Sequence, residues 1–229
     1  MKRGLVIIPA HNEGDCIAGV LGEIEPGPHL DLVVVDDASR DHTRAAVERL
    51  GVLCFPLAVQ LGAWGAIQAG LRYALREGYD YAVTLDADGQ HPAAAIAELA
   101  APVLGGTADV TIGACTSRGS RSRRLAWYLL QRVTGLTLED LTSGFRVYNR
   151  AAIELLASRD ATLLEYQDIG VLCLLQDNGL RIREVEVAMR LRQTGRSKVF
   201  YSWLAVGYYM AHSMILGMSK RTTRRRVAV

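Results

Sequence analysis

Apolar residues fall into short runs that recur through the first half of the chain and alternate with stretches of helical periodicity. Residues 4–9 (GLVIIP) and 31–36 (DLVVVD) are continuous apolar runs of strand length. A weaker run spans 52–57, and 81–85 (YAVTL) and 109–114 (DVTIGA) extend the series. Between them, residues 14–25, 41–50 and 62–77 read as helices; Ala63, Ile67, Leu71, Ala74 and Leu75 share one face of the last. A further helix is expected from about 93. This βαβαβ order predicts an α/β fold, a single domain on a mainly parallel twisted sheet with helices on both faces. Ligands on such sheets bind beyond the carboxyl ends of the strands. Pro9–Glu13, Asp36–Asp37 and Asp86–His91 are the polar endings of three expected strands, so they converge on one rim.

The second half is less regular. Residues 122–134 and 163–176 read as helices, 142–148 (TSGFRVY) as a strand, and 181–191 alternates as another. Residues 199–218 contain no Asp, Glu, Lys or Arg. As a helix they would extend roughly 30 Å, about the thickness of a bilayer core. Phe200, Leu204, Tyr208, Ala211, Ile215 and Met218 form one face; Ser202, Tyr209, His212 and Ser213 form another. An amphipathic helix lying in the membrane interface is the favoured expectation. A packed helix or dimer face and a spanning helix stay open. The expected division is a catalytic domain over 1–198 and an amphipathic helix with a basic tail over 199–229.

Composition narrows the function classes. With 229 residues, half of them apolar, the chain can bury one large core, and no linker or repeat divides it. The net charge of +2 hides an asymmetry, because five of the 26 Lys and Arg residues fall in the last ten positions. The remaining body is slightly acidic, which argues against a surface devoted to nucleic acid. The tail suits an anionic membrane surface or a solvated end. Cys16, Cys54, Cys115 and Cys173 show no zinc spacing and no disulfide framework. With no signal-peptide pattern at the start, a cytoplasmic location is expected, peripheral on the cytosolic face of a membrane if the tail binds lipid.

Asp86-Ala87-Asp88 is the central chemical signal. Two carboxylates one residue apart on a turn after a strand can reach one Mg²⁺ or Mn²⁺, whose shell substrate phosphates complete. Gln90 and His91 lie close enough to join that shell, and Asp88 is expected to face solvent. Asp36 and Asp37 suit ribose or base contacts, with helix-start capping as the plain alternative. His11-Asn12-Glu13 carries the same ambiguity. Arg192, Arg196 and Lys198 surround Gly195, a pattern that can close over a diphosphate. Arg118, Arg121, Arg123 and Arg124 form a second basic cluster that meets phosphates, membrane or only solvent. Arg146 reads as an ion-pair partner or a phosphate ligand. Asp168 and Glu165 are candidates for a general base or for charge stabilisation at a helix start.

Taken in order, IPAHNE (8–13), VVDDASRDHT (34–43), LGAWGAIQAGLRYA (61–74), DADGQHP (86–92), LTSGFRVY (141–148) and RQTGRSK (192–198) resemble the family 2 glycosyltransferases. Within them, the chain looks like the polyprenyl-phosphate sugar transferases typified by dolichyl-phosphate mannose synthase. The resemblance implies a GT-A-type fold and inverting, metal-dependent transfer from a nucleoside-diphosphate sugar, most simply to a polyprenyl phosphate. A soluble glycan or a natural-product hydroxyl is the alternative acceptor, and a non-catalytic nucleotide-binding or membrane-scaffold module is the alternative of another class. It maps nucleotide-sugar contacts to Pro9, His11, Glu13, Val35, Asp37, Ala87, Arg118, Arg146, Arg192 and Lys198. Metal and diphosphate contacts fall on Asp86, Asp88 and Gln90, and catalytic roles on Asp168, Arg192 and Lys198. Partners follow as the sugar donor, a polyprenyl phosphate or other acceptor and no nucleic acid, in a monomer or homodimer. Two departures stand out: His11 replaces a frequent tyrosine, and Cys115 stands where relatives commonly carry the arginine of GSR.

Overall fold

A computed structural model of the chain describes residues 2–25, 27–115, 136, 138–141, 143–164 and 169–190. The strands are β1 (Gly4–Ala10), β2 (Leu30–Asp36), β3 (Leu53–Pro56), β4 (Tyr81–Thr84), β5 (Val110–Ala114), β6 (Arg146–Asn149) and β7 (Ile182–Glu186). The helices are α1 (Ile17–Glu23), α2 (Thr43–Arg49), α3 (Gly62–Arg76), α4 (Ile96–Leu104), α5 (Arg150–Leu156) and α6 (Ile169–Asp177). The strands form one sheet in the order β3-β2-β1-β4-β6-β5-β7. β1 pairs in parallel with β2 and β4, β2 with β3, and β5 with β7. Only β6 is antiparallel to its neighbours, β4 and β5. The expected mainly parallel α/β sheet is therefore present, with one reversed strand inserted.

Parity along β1 sorts the core into two layers, as the two-residue period of a strand requires. Leu5 and Ile7 join Val33 and Val35 of β2 and Trp64, Ile67 and Leu71 of α3. Val6, Ile8 and Ala10 join Val34 of β2, Ile17 of α1, Val47 of α2 and Leu99 of α4. Burial on both faces explains why these strands read as unbroken apolar runs.

α3 packs so closely that glycine is required at one point. A Cβ at Gly70 would lie 2.4 Å from Ile7 Cγ2. One stripe of the helix also grips a distant segment. Trp64 Nε1 donates to Ala161 O at 2.8 Å, Gln68 Nε2 to Leu156 O at 2.9 Å and Arg72 Nε to Ala157 O at 3.0 Å. Their i, i+4, i+8 spacing puts these donors on one helical face.

Several boundaries differ from the sequence expectation. α4 is preceded by a 3₁₀ turn at Ala93–Ala95. Of the helix expected over 163–176, Ile169–Asp177 is present; Asp160–Leu163 forms a 3₁₀ turn, and residues 165–168 lie outside the described residues. β7 ends at Glu186, opposite Ala114, the last residue of its partner β5. The expected helices at 122–134 and 199–218 lie outside the described residues. Among the described residues no helix is long and apolar enough to cross a membrane.

At the amino ends of β5 and β7, Asp109 accepts from Arg181 Nε at 2.9 Å and from Asn149 Nδ2 at 2.9 Å. The Arg181 hydrogen bond is the main cause holding the Asp109 carboxyl below the usual carboxylate range. A depressed folded-state pKa contributes stability above the unfolded value and loses it as pH falls through the folded value. Asp109→Asn is therefore expected to destabilise the fold most near neutral pH, with the gap to wild type shrinking below about pH 4 in urea titrations. Gly70→Ala is expected to lose about 1–2 kcal/mol in the same assay, since overpacking outweighs the gain in helix propensity.

Candidate active site

The loop after β1 and the loop after β2 are bound into one unit. Asp37 N donates to Ala10 O at 2.8 Å, and His11 Nδ1 donates to Asp37 O at 2.7 Å. A carbonyl can only accept, so the His11 proton lies on Nδ1 and Nε2 accepts from Asn12 Nδ2 at 3.1 Å. Asn12 N donates to Ser39 Oγ, and Asn12 Oδ1 accepts from Arg40 N. Glu13 N donates to Thr43 Oγ1, and Gly14 N to Asp41 Oδ2. Two non-glycine residues in these loops, Asn12 and Ala38, take φ of 54°, where L-residues are uncommon. Hydrogen bonds from both loops hold that strained geometry in place.

Asp36 and Asp37 do different work despite being adjacent. Asp36 Oδ1 accepts from Ser39 N within its own turn. Asp37 is buried and takes both exposed amides at the start of α3, Leu61 N at 2.6 Å and Gly62 N at 2.9 Å. A carboxylate there satisfies orphan donors and meets the positive end of the helix dipole. The expected capping role concerned the helix that follows directly, with Ser39 or Asp41 as cap; Asp37 instead caps α3, from the end of a neighbouring strand.

Beyond β4 the chain makes a compact acidic turn. Asp86 N donates to His91 Nδ1 at 2.9 Å, closing a loop of residues 86–91. Asp88 Oδ1 accepts from Gln90 N at 3.1 Å and Oδ2 from the Gln90 side-chain amide. Gly89 lies between them at φ 76°, a region that favours glycine. The two carboxylates differ in exposure: the Asp86 side chain is 38% exposed, whereas Asp88 is 4%. Asp88 does not face solvent as expected: it is buried, and both its oxygens accept from Gln90. His91 also departs from the ligand role, since its Nδ1 lone pair is occupied by the Asp86 amide.

Among the described residues no group of three or more His, Cys, Asp or Glu side chains could hold a metal ion. Asp86, Asp88 and Gln90 offer two carboxylates and an amide carbonyl, all hard oxygen donors. Such a set fits Mg²⁺ or Mn²⁺ in an open site that substrate phosphates complete.

Pro9, His11, Glu13 and Asp37 meet at the joined β1 and β2 endings, and Asp86, Ala87, Asp88 and Gln90 sit at the neighbouring β4 ending. Val35 is fully buried in the core layer under α3, leaving its main chain, paired with Pro9, nearer the rim. Arg146 is fully buried on β6, donating through Nε to Ser143 O at 2.8 Å and through a terminal nitrogen to Leu141 O at 3.2 Å. Its guanidinium therefore anchors the segment leading into β6. Arg118, Asp168, Arg192 and Lys198 lie outside the described residues, as does Glu165. Sequence reasoning missed Arg190, whose N donates to Gln90 O at 2.9 Å, and Phe145, whose ring stacks on His91. Neither has a local signal, because each partner is more than fifty residues away.

The sequence model of glycosyl transferase family 2 matches residues 5–156. The chain belongs to that family. This glycosyltransferase is 33% identical over 217 residues to an undecaprenyl-phosphate mannosyltransferase of Micrococcus luteus, covering 86% of this chain and 87% of the relative. It is 31% identical over 218 residues to the polyprenol monophosphomannose synthase of Mycolicibacterium smegmatis, covering 86% and 81%. Among solved structures, it resembles glucosyl-3-phosphoglycerate synthase from Mycobacterium tuberculosis in complex with Mn²⁺, UDP and glucosyl-3-phosphoglycerate. That match has a TM-score of 0.72 and 22% identity, and covers 96% of this chain and 80% of the other. The family 2 fold is thus a GT-A-like α/β domain, and the acidic turn lies at the carboxyl-end rim of its sheet.

Asp37→Ala is expected to cost about 1–2 kcal/mol by urea unfolding, because it strips the cap from α3. Asp37→Asn should lose less, since the amide keeps one accepting oxygen.

Proposed function

We propose that this glycosyltransferase moves a sugar from a nucleoside-diphosphate sugar to a polyprenyl phosphate, with inversion and with a divalent cation. The observation that carries the reading is the acidic turn at the rim, in a chain whose relatives are named as transferases to lipid phosphates. Asp86, Asp88 and Gln90 would hold Mg²⁺ or Mn²⁺, which when bound neutralises charge building on the departing diphosphate. Asp86, the more exposed carboxylate, is the side chain best placed to share the cation with the donor.

The other roles follow from the chemistry of the two substrates. Pro9, His11, Glu13, Val35, Asp37 and Ala87 would form the nucleotide side of the site. Arg118, Arg192 and Lys198 are assigned to the donor's phosphates, and Arg192 and Lys198 also to stabilising the leaving group, while Arg146, buried on the Ser143 and Leu141 carbonyls, braces the segment leading into β6. A lipid phosphate is already an anion at neutral pH, so it needs no strong base to attack; Asp168 then serves to position the acceptor. A basic tail and an amphipathic segment over 199–229 would bring the enzyme to the cytosolic face of a membrane, where such an acceptor resides.

Asp86→Asn tests the assignment, because it keeps size and removes charge at an exposed position. Mn²⁺-dependent transfer from GDP- or UDP-sugars to polyprenyl phosphate should fall about 100-fold or more, with the unfolding midpoint unchanged. Wild-type turnover by this variant, or full wild-type turnover in EDTA, would remove the cation from the reaction.

A further inference from the structure

His91 binds the first residue of the acidic turn while its ring is packed against the segment leading into β6. Its Nδ1 accepts the Asp86 amide proton at 2.9 Å. A backbone N–H can only donate, so Nδ1 carries no proton and the ring is the neutral tautomer with its proton on Nε2. Nε2 lies 3.9 Å from Asp86 Oδ2, beyond hydrogen-bond length but close enough for the N–H dipole to act on the carboxylate. The ring is buried and stacks on Phe145, with centroids 5.1 Å apart and planes 15° apart. Phe145 is itself fixed, because its carbonyl accepts from Gly113 N, within β5, at 2.8 Å. Thr84 Oγ1 donates to Gly144 O at 2.8 Å, tying β4 to the same segment. Rotation of the His91 ring would break either the stack or the hydrogen bond from the Asp86 amide, so the imidazole ties the start of the turn to the segment leading into β6.

We propose that His91 is a positioning residue of the donor site: through the Asp86 amide it holds the Asp86 carboxylate where cation and diphosphate meet. This deepens the function proposed above and rests on it. His91 contributes no ligand atom. Its effect is on the affinity for the cation, through the fixed geometry of the residue that shares it, as outer partners of metal sites act elsewhere.

Three proteins decide the matter: wild type, His91→Phe and His91→Asn. Phenylalanine keeps an aromatic face for Phe145 and removes the acceptor. Asparagine places its amide oxygen at the Nδ1 position and restores the acceptor without the ring. Mn²⁺ uptake is read by electron paramagnetic resonance in the presence of UDP and, separately, GDP; nucleotide binding in EDTA is read by calorimetry. The expected result is an affinity for Mn²⁺ about 10- to 100-fold weaker in His91→Phe, largely recovered in His91→Asn, with binding in EDTA equal in all three. The proposal is overturned if His91→Phe takes up Mn²⁺ like wild type, or if His91→Asn is as weak as His91→Phe. It is equally overturned if metal-free nucleotide binding falls in step, which marks a purely structural residue. If wild type takes up no Mn²⁺ with either nucleotide, the cation-dependent function itself fails, and the role of His91 fails with it.

Discussion

Strand β1, flanked by β2 and β4, is apolar on both faces, and much of the rest follows from that constraint. Helices must cover each side, so each early parallel connection leaves the sheet and returns over one face before the next strand begins. Every early strand therefore ends at the same rim. Polar side chains cannot sit in the strands themselves without facing one core layer or the other. They gather where the strands stop, at Pro9–Glu13, Asp36–Asp37 and Asp86–His91. The site is the place where a doubly buried sheet can expose polar groups.

Those polar groups then hold one another before any ligand arrives. Two histidines show how. His11 donates from Nδ1 to a carbonyl, whereas His91 accepts at Nδ1 from an amide. Opposite tautomers result from opposite backbone partners, and each ring is committed to joining loop segments. Asp37 similarly spends both oxygens on the start of α3. The cap couples the end of β2 to the helix that, through Trp64, Gln68 and Arg72, carries residues 156–162. Asp86 differs from these neighbours by its greater exposure, which suits a group that meets a substrate.

The strands and the rim were legible from residue pattern because period and burial are linked: an uninterrupted apolar run of strand length is what a doubly covered strand looks like. Asp86 and Asp88 were legible as a pair because they are two residues apart on one turn. Their unequal exposure was not, since burial of a turn residue is decided by what the rest of the fold packs around it. Arg146 gave a misleading signal for a related reason. It read as an ion-pair partner or a phosphate ligand, yet the guanidinium is buried on the Ser143 and Leu141 carbonyls. A buried arginine can be recognised only when its acceptors are known.

From the amino-acid order alone came features governed by neighbours close in the chain: strand runs, the helical stripe of α3, the turn carrying Asp86 and Asp88 and the clustering of acids at strand ends. Tertiary structure decided what depends on residues far apart. It reversed β6 between β4 and β5, joined Gln90 to Arg190, stacked His91 on Phe145 and assigned Asp37 to the start of α3. Periodicity reports which face of an element is dry, because solvent acts on each residue locally. Hydrogen-bond partners are chosen only after the sheet has brought its distant endings together.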